Sequence, residues 1–338
     1  MDKSGASAYV YAKASGILAR SFVGNRTQKL FEVKSLSELW SLVFKTEVPL
    51  VPEVMLAKQI EVEAQKRFIK EYVDLVGCYS KPDPIFTILL RFYEYSNLKD
   101  VVSSLVTGKN ELPPIVDIGK FATLDYSKYP NIAEITKNSE LSWVTEIPSV
   151  QDEKDFEHKL DVQYVRVLWK AIQKLPASER GPVEKFLGQS FLHKNISWAL
   201  RLKMYYNFTN EQVKDYLIAL SDNPDYSDPV AGYALKVLDF PVDSWADWKQ
   251  SSISDYINPY FGSEDWKIDP RWLQQSLKKR TNDLALKTFR LYPFTANVLV
   301  TWFKIKQFEL DWIRIAAEGL RLNVSPSELK KIAGIEHL

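Results

Sequence analysis

Glycine, histidine and cysteine are scarce in this chain, at 12, 3 and 1 of 338 residues. The shortage of glycine bears on nucleotide chemistry. Phosphate-cradling loops need glycine where the backbone closes on the phosphate, and neither G-x-G-x-x-G nor G-x4-G-K-[ST] occurs. The nearest approach, Thr107-Gly108-Lys109-Asn110, lacks the first glycine and has Asn where Ser or Thr would meet Mg2+. His158, His193 and His337 stand apart, with no H-E-x-x-H pair, and Cys78 has no Cys or His near it in sequence. No metal and no cofactor is therefore expected. A lone cysteine excludes an internal disulfide and fits a reducing compartment. Gly188-Gln189-Ser190-Phe191 lacks the second glycine of a nucleophile elbow. Among 43 acidic residues no pair stands out as a general acid and base. Catalytic residues: none; the expectation is a protein that is not an enzyme and has no direct small-molecule substrate.

Single-sign charge and long apolar runs are missing too. The formal net charge is +1, and the longest basic run, Lys278-Lys279-Arg280, suits the end of a helix. Nucleic acid is not an expected partner. No stretch reaches the roughly 20 apolar residues that span a bilayer. The best candidate, 294–303, is short and followed by Lys304, Lys306 and Glu309. Met1-Asp2-Lys3-Ser4-Gly5 leads into no apolar signal core, so neither a signal peptide nor a transmembrane segment is expected. The sequons at Asn25, Asn195, Asn207 and Asn323 then read as chance. Strand signals are scarce, and the fold class expected is all-α.

What is abundant is aromatic: 17 Tyr, 17 Phe and 10 Trp, enough to supply core area and interface anchors. Apolar residues recur every four positions at Leu56, Ile60, Ala64, Phe68 and Tyr72, and again at Phe156, Leu160, Tyr164, Leu168 and Ile172. Ser35-x-x-Glu38, Thr209-x-x-Gln212 and Ser325-x-x-Glu328 are capping boxes that open helices. The expected helices cover 6–22, 36–44, 53–76, 85–106, a stretch ending near 172, 183–206, 210–220, 270–290 and 294–320. Pro176–Pro182 and Pro293 are expected to break the chain. Residues 240–270, dense in Trp, Asp, Pro and Ser, read as loops with short turns, and Glu157-His158 as a solvated pair.

The pattern also repeats. Three times a long amphipathic stretch, a proline-bearing gap and a second apolar stretch follow one another. The second stretches start near Phe86, Val183 and Phe294, roughly one hundred residues apart, the size of a small domain. This divides the chain into helical units at 1–113, 114–222 and 223–338. Polar tails follow two of them: Glu94-Tyr95-Ser96-Asn97-Leu98-Lys99 and Glu309-Leu310-Asp311-Trp312-Ile313-Arg314. If Asn97, Asn195 and Trp312 are equivalent, Thr209 and Ser325 open matching short helices. The polar tails admit two readings: they line a shared inner surface, or they orient each helix against its neighbour.

The order of these segments resembles a known family. Tyr9-Val10-Tyr11-Ala12-Lys13-Ala14 comes first, then Leu36-Ser37-Glu38-Leu39-Trp40-Ser41-Leu42-Val43-Phe44-Lys45-Thr46. Leu89-Leu90-Arg91-Phe92-Tyr93-Glu94-Tyr95-Ser96-Asn97-Leu98-Lys99 follows, and Lys306-Gln307-Phe308-Glu309-Leu310-Asp311-Trp312-Ile313-Arg314 lies near the end. Across nearly the whole chain this is similar to the C/AC39 subunits of V/A-type rotary ATPases, a family found in archaea, bacteria and eukaryotes. Lys13 and Trp312 depart from the arginine and asparagine often found there. The resemblance implies three similar helical domains in a funnel-shaped, pseudo-threefold arrangement. It implies a peripheral, non-catalytic central-stalk component on the cytoplasmic face of the membrane. The partners implied are the proteolipid (c/K) ring, the D and F proteins of the shaft, and the a/I protein of the membrane sector. The role implied is coupling of the shaft to H+ or Na+ translocation. Arg91, Lys99, Arg201 and Arg314 are the residues expected to face the hollow, each with an internal salt bridge as the alternative. Two readings compete with the rotary adaptor: an unrelated helical scaffold binding soluble proteins, and an unrecognised helical enzyme.

Overall fold

A computed structural model of the chain describes residues 1–109, 111–258 and 266–335, so Asn110 and His337, both named above, lie outside the described residues. The chain is all-helical. Its helices are α1 (Lys3–Leu18), α2 (Leu36–Phe44), α3 (Glu53–Val76), α4 (Pro84–Val106), α5 (Ile132–Thr136), α6 (Glu153–Gln173), α7 (Ala177–Tyr205), α8 (Asn210–Asp215), α9 (Gly232–Val237), α10 (Trp245–Trp248), α11 (Pro270–Leu291), α12 (Asn297–Arg321) and α13 (Pro326–Ala333). Short 3-10 turns fill parts of the connections, the longest at Gly24–Phe31.

The ends of these helices follow local chemistry. Ser35 accepts from the Glu38 N–H and opens α2, while the Glu38 carboxylate reaches back to the N–H of Lys34. Thr209 and Gln212 make both arms of a capping box at α8. Ser325 caps α13, with Pro326 in the first turn. Gly334, at φ +69°, closes α13 in the left-handed conformation that favours glycine.

Four helices depart from expectation, each for a local reason. α1 starts at Lys3 because the Asp2 carboxylate accepts from the Gly5 N–H. It stops at Leu18, after which the Ser21 hydroxyl donates to the Ile17 carbonyl and the Phe22 N–H donates to Glu309. Pro182 does not break α7, which runs through it from Ala177. It sits near the exposed start of the helix, where the carbonyl it leaves without an N–H, that of exposed Ser178, is open to water. α8 ends at Asp215 rather than Leu220, because Asn195 captures the backbone of Ile218. α12 begins at Asn297 rather than Phe294. Phe294 turns at φ +63°, and Glu179 accepts from the Ala296 N–H.

α12 is the central helix, packed against α1, α2, α3, α4, α7, α11 and α13. Its Trp302 is fully buried and lies 5.9 Å, centroid to centroid, from both Phe68 and Tyr72 of α3, in stacked geometry. The largest apolar core joins α1, α4, α6, the C-terminal part of α3 and the N-terminal parts of α7 and α12. A second core brings residues 22–64 onto 312–335. The third gathers the end of α7 with α8, α9, α10 and the start of α11. α13 closes against α12 at Gly319, where a Cβ would stand 2.1 Å from a Leu329 methyl. The missing side chain is what lets Leu329 seat.

Candidate functional site

Contacts of α4 with α6, α6 with α7, α7 with α11, α11 with α12 and α12 with α4 close a circuit of five long helices. Charged side chains from all five gather at its centre. Lys99 of α4 pairs with Asp161 of α6 at 2.7 Å, and Lys278 of α11 with Asp311 of α12 at 2.7 Å. Lys194 of α7 interacts electrostatically with all four of these groups, and Lys304 of α12 with Lys194 and Asp311.

Lys194 is exposed and Lys304 half-buried, yet the protein around each lowers its pKa. Lys304 is pushed down to about 7, first by desolvation and then by the charge of Lys194, with Asp311 opposing. Its ammonium also lies 6.0 Å from the centre of the Phe191 ring.

His193 and His158 are structural. His193 Nδ1 lies 2.7 Å from the Thr281 hydroxyl, tying α7 to α11. Desolvation, with Arg280 adding to it, holds its pKa down to about 4. His158, expected to be solvated, is half-buried with its ring 6.0 Å from that of Tyr216, and burial lowers its pKa. No group of three or more His, Cys, Asp or Glu suited to a metal ion occurs among the described residues. None of the described helices is long and apolar enough to cross a membrane.

The four residues expected to face the hollow fall in different places. Lys99 pairs with Asp161 of α6. Arg201 lies two turns beyond Lys194 on the same face of α7 and donates to Gln274 of α11 at 3.1 Å, its Nε buried without a partner. Arg91 pairs with Glu140 at 3.1 Å, and the Tyr95 hydroxyl donates to the same carboxylate. Arg314 reaches Glu61 of α3 at 3.4 Å from a largely exposed position. Sequence reasoning passed over Lys194 and took Lys304 only as the charge that ends an apolar run. The available signal was the α7 stripe of Phe191, Lys194, Trp198, Arg201 and Tyr205 at helical spacing, aromatic and basic together.

The polar tails serve chiefly to anchor the chain. Asn97 donates to the Val116 carbonyl and accepts from the Val116 N–H, both at 2.9 Å. Asn195 makes the same two bonds to Ile218, at 2.8 and 3.0 Å, and donates a third to Val230 at 2.7 Å. Two asparagines on separate long helices thus clamp a returning loop in the same way. Trp312, matched with these two asparagines in the sequence reading, makes no such clamp and packs in the second core. Three residues earlier, Glu94 accepts from the Thr123 and Leu124 N–H groups and the Thr123 hydroxyl. Glu309 accepts from Phe22 and from Lys306.

Fold and site together define an all-helical protein organised around one long central helix, with charged side chains from five long helices near one another. The chain belongs to the ATP synthase (C/AC39) subunit family, which matches residues 8–332. It is a family of non-catalytic subunits of V/A-type ATPases. The chain is also similar to an uncharacterized protein of Treponema pallidum (strain Nichols). The two are 27% identical over 325 residues, which cover 94% of this chain and 93% of the other.

Proposed function

We propose that this chain is the central-stalk adaptor of a V/A-type ATPase, seated on the cytoplasmic face of the proteolipid ring and receiving the D/F shaft. In that position it transmits rotation between the shaft and H+ or Na+ translocation, beside the a/I protein of the membrane sector. The three helical units at 1–113, 114–222 and 223–338 then surround one axis as a funnel. The observation that carries the reading is family membership over 8–332 in a chain whose five long helices bring charged side chains near one another. A coupling element needs a socket that grips at many points and does not slip, so multi-point complementarity matters more than any single residue. Of the proposed interface residues, Lys99 and Arg201 belong to the walls of the hollow. Arg91 and Arg314 are proposed as contacts from outside it.

Deletion of the chain from the purified complex tests this. The expected result is loss of the shaft from the ring and ATP hydrolysis without ion pumping. A complex that assembles and pumps normally without the chain overturns the proposal.

A further inference from the structure

Lys159, Val162, Gln163, Arg166 and Lys170 follow one another at helical spacing on α6, and with Trp143 and Val167 they line an open groove of about 410 Å³. At about 100° per residue this stripe lies opposite Asp161, the residue that joins α6 to Lys99. The groove is therefore separate from the charged side chains between the long helices.

Its apolar surface is fixed in place. Trp143, 37% exposed, donates through Nε1 to the Gln163 side-chain oxygen at 2.6 Å, and the Gln163 amide nitrogen donates to the Glu140 carbonyl at 2.8 Å. The Lys159 ammonium lies 4.0 Å from the centre of the Trp143 ring. Its charge is of one sign. No carboxylate lines the groove, and neither Lys159 nor Lys170, both exposed, enters an ion pair among the described residues. Arg166 is held at the edge by Asp222 at 2.7 Å and the Ala219 carbonyl at 3.0 Å. An exposed tryptophan that is already positioned, beside cations without counter-charges, has the make-up of an interface anchor.

We infer that the groove is a docking site for an acidic amphipathic segment of a partner protein. Its carboxylates pair with Lys159 and Lys170, and its apolar side chains cover Trp143, Val162 and Val167. This goes beyond the central-stalk reading and does not depend on it. Charge complementarity decides the occupant. An apolar segment would desolvate the two ammonium groups without pairing them, and a basic one would repel them. Lys159 and Lys170 are eleven residues apart, roughly 16 Å along the helix, a reach that about three turns of a partner helix match. A nucleic acid or an anionic membrane needs a broad basic face, whereas Asp152 and Asp155 stand exposed at the start of the same helix.

The test places a photo-reactive benzophenone side chain at Val162 of the full chain, in the cells that make it, and sequences the cross-linked peptide by mass spectrometry. The expected result is one segment of another protein in which Asp and Glu alternate with apolar residues. A synthetic peptide of that sequence should bind the purified chain, less tightly as salt rises. Lys159→Glu with Lys170→Glu should weaken binding by about tenfold or more, and a peptide with its acids changed to Lys should restore it. Trp143→Ala should weaken binding while leaving the salt dependence as it was. Lys154→Glu, on the opposite face of α6, should bind as the wild type does. Circular dichroism and melting temperature establish that each variant is folded. Cross-linking no stronger than from exposed Lys236 of α9 overturns the inference. So does cross-linking confined to lipid, to nucleic acid, to the chain itself or to a segment without acids, and so does wild-type affinity in the double charge variant. None of these outcomes bears on the adaptor reading, which deletion of the chain tests.

Discussion

Lys304 and Lys306 stand two residues apart on α12 and meet opposite environments. Lys306 is 3% exposed and fully engaged: Glu309 and Glu71 flank it, and it donates to the Ser21 hydroxyl at 3.0 Å. Its ring of partners ties α12 to α3 and to the turn after α1. Lys304 is half-buried beside the Phe191 ring and enters none of the ion pairs among the described residues. Successive helical positions are about 100° apart, so two residues are enough to turn a side chain from one environment to the other. The difference teaches how to read charge on a central helix. A buried cation whose partners are all internal holds the fold together, and a half-buried cation without an ion pair does not.

Breaking the first half of this comparison has the largest expected effect. Lys306→Met leaves Glu309 without a counter-charge and Glu71 with Arg67 alone, at 3.4 Å. Removal of one partner from a buried ion pair costs about 3–5 kcal/mol. The measurement is denaturant unfolding of the variant beside the wild type. A loss below about 1 kcal/mol would show that water reaches the cluster and that it does not lock the three elements together.

The asparagine clamps come next. Asn97→Ala and Asn195→Ala each orphan the N–H and carbonyl of a partly buried residue, Val116 or Ile218, at a cost of about 1–3 kcal/mol. Asn195 makes one bond more, so its variant should be the less stable of the two. Thermal melts of both settle the order, and equal stability would mean the third bond contributes nothing. Gly319→Ala should cost a similar ~1–3 kcal/mol through overpacking against Leu329. That loss should be concentrated in faster hydrogen exchange of α13.

These clamps also show how far the sequence was legible. Long helices declared themselves because four-residue periodicity and capping boxes are local signals, and α3 runs over the expected residues. The resemblance of Asn97 to Asn195 was visible as a spacing. Its meaning was not, because the partners lie 19 and 23 residues away in loops with no periodicity of their own. The early end of α8 and the late start of α12 have the same cause: tertiary hydrogen bonds from Asn195 and Glu179 override local propensity. The cluster of charged side chains was hidden more deeply still. Lys194 sits beside His193 and Asn195, which point into packing, and only the three-dimensional circuit of helices separates its role from theirs.

The smallest expected effect sharpens the second half of the comparison. Because its pKa in the folded chain is about 7 against 10.5 for an ordinary lysine, Lys304 is harder to protonate when folded than when unfolded. Between pH 7 and 10.5 the unfolded chain holds a proton that the native chain lacks. Stability therefore falls as pH drops through that window and levels off below it. Lys194 and Asp311 face the same group, the first depressing its charge and the second favouring it, so the slope belongs to the set. Lys304→Met removes the penalty. At pH 7 the variant should be slightly more stable than the wild type, by less than about 1 kcal/mol because Lys304 is only half-buried. Its pH dependence between 7 and 10.5 should be flatter. Loss of stability at pH 7 would make Lys304 another Lys306, a cation the fold itself requires.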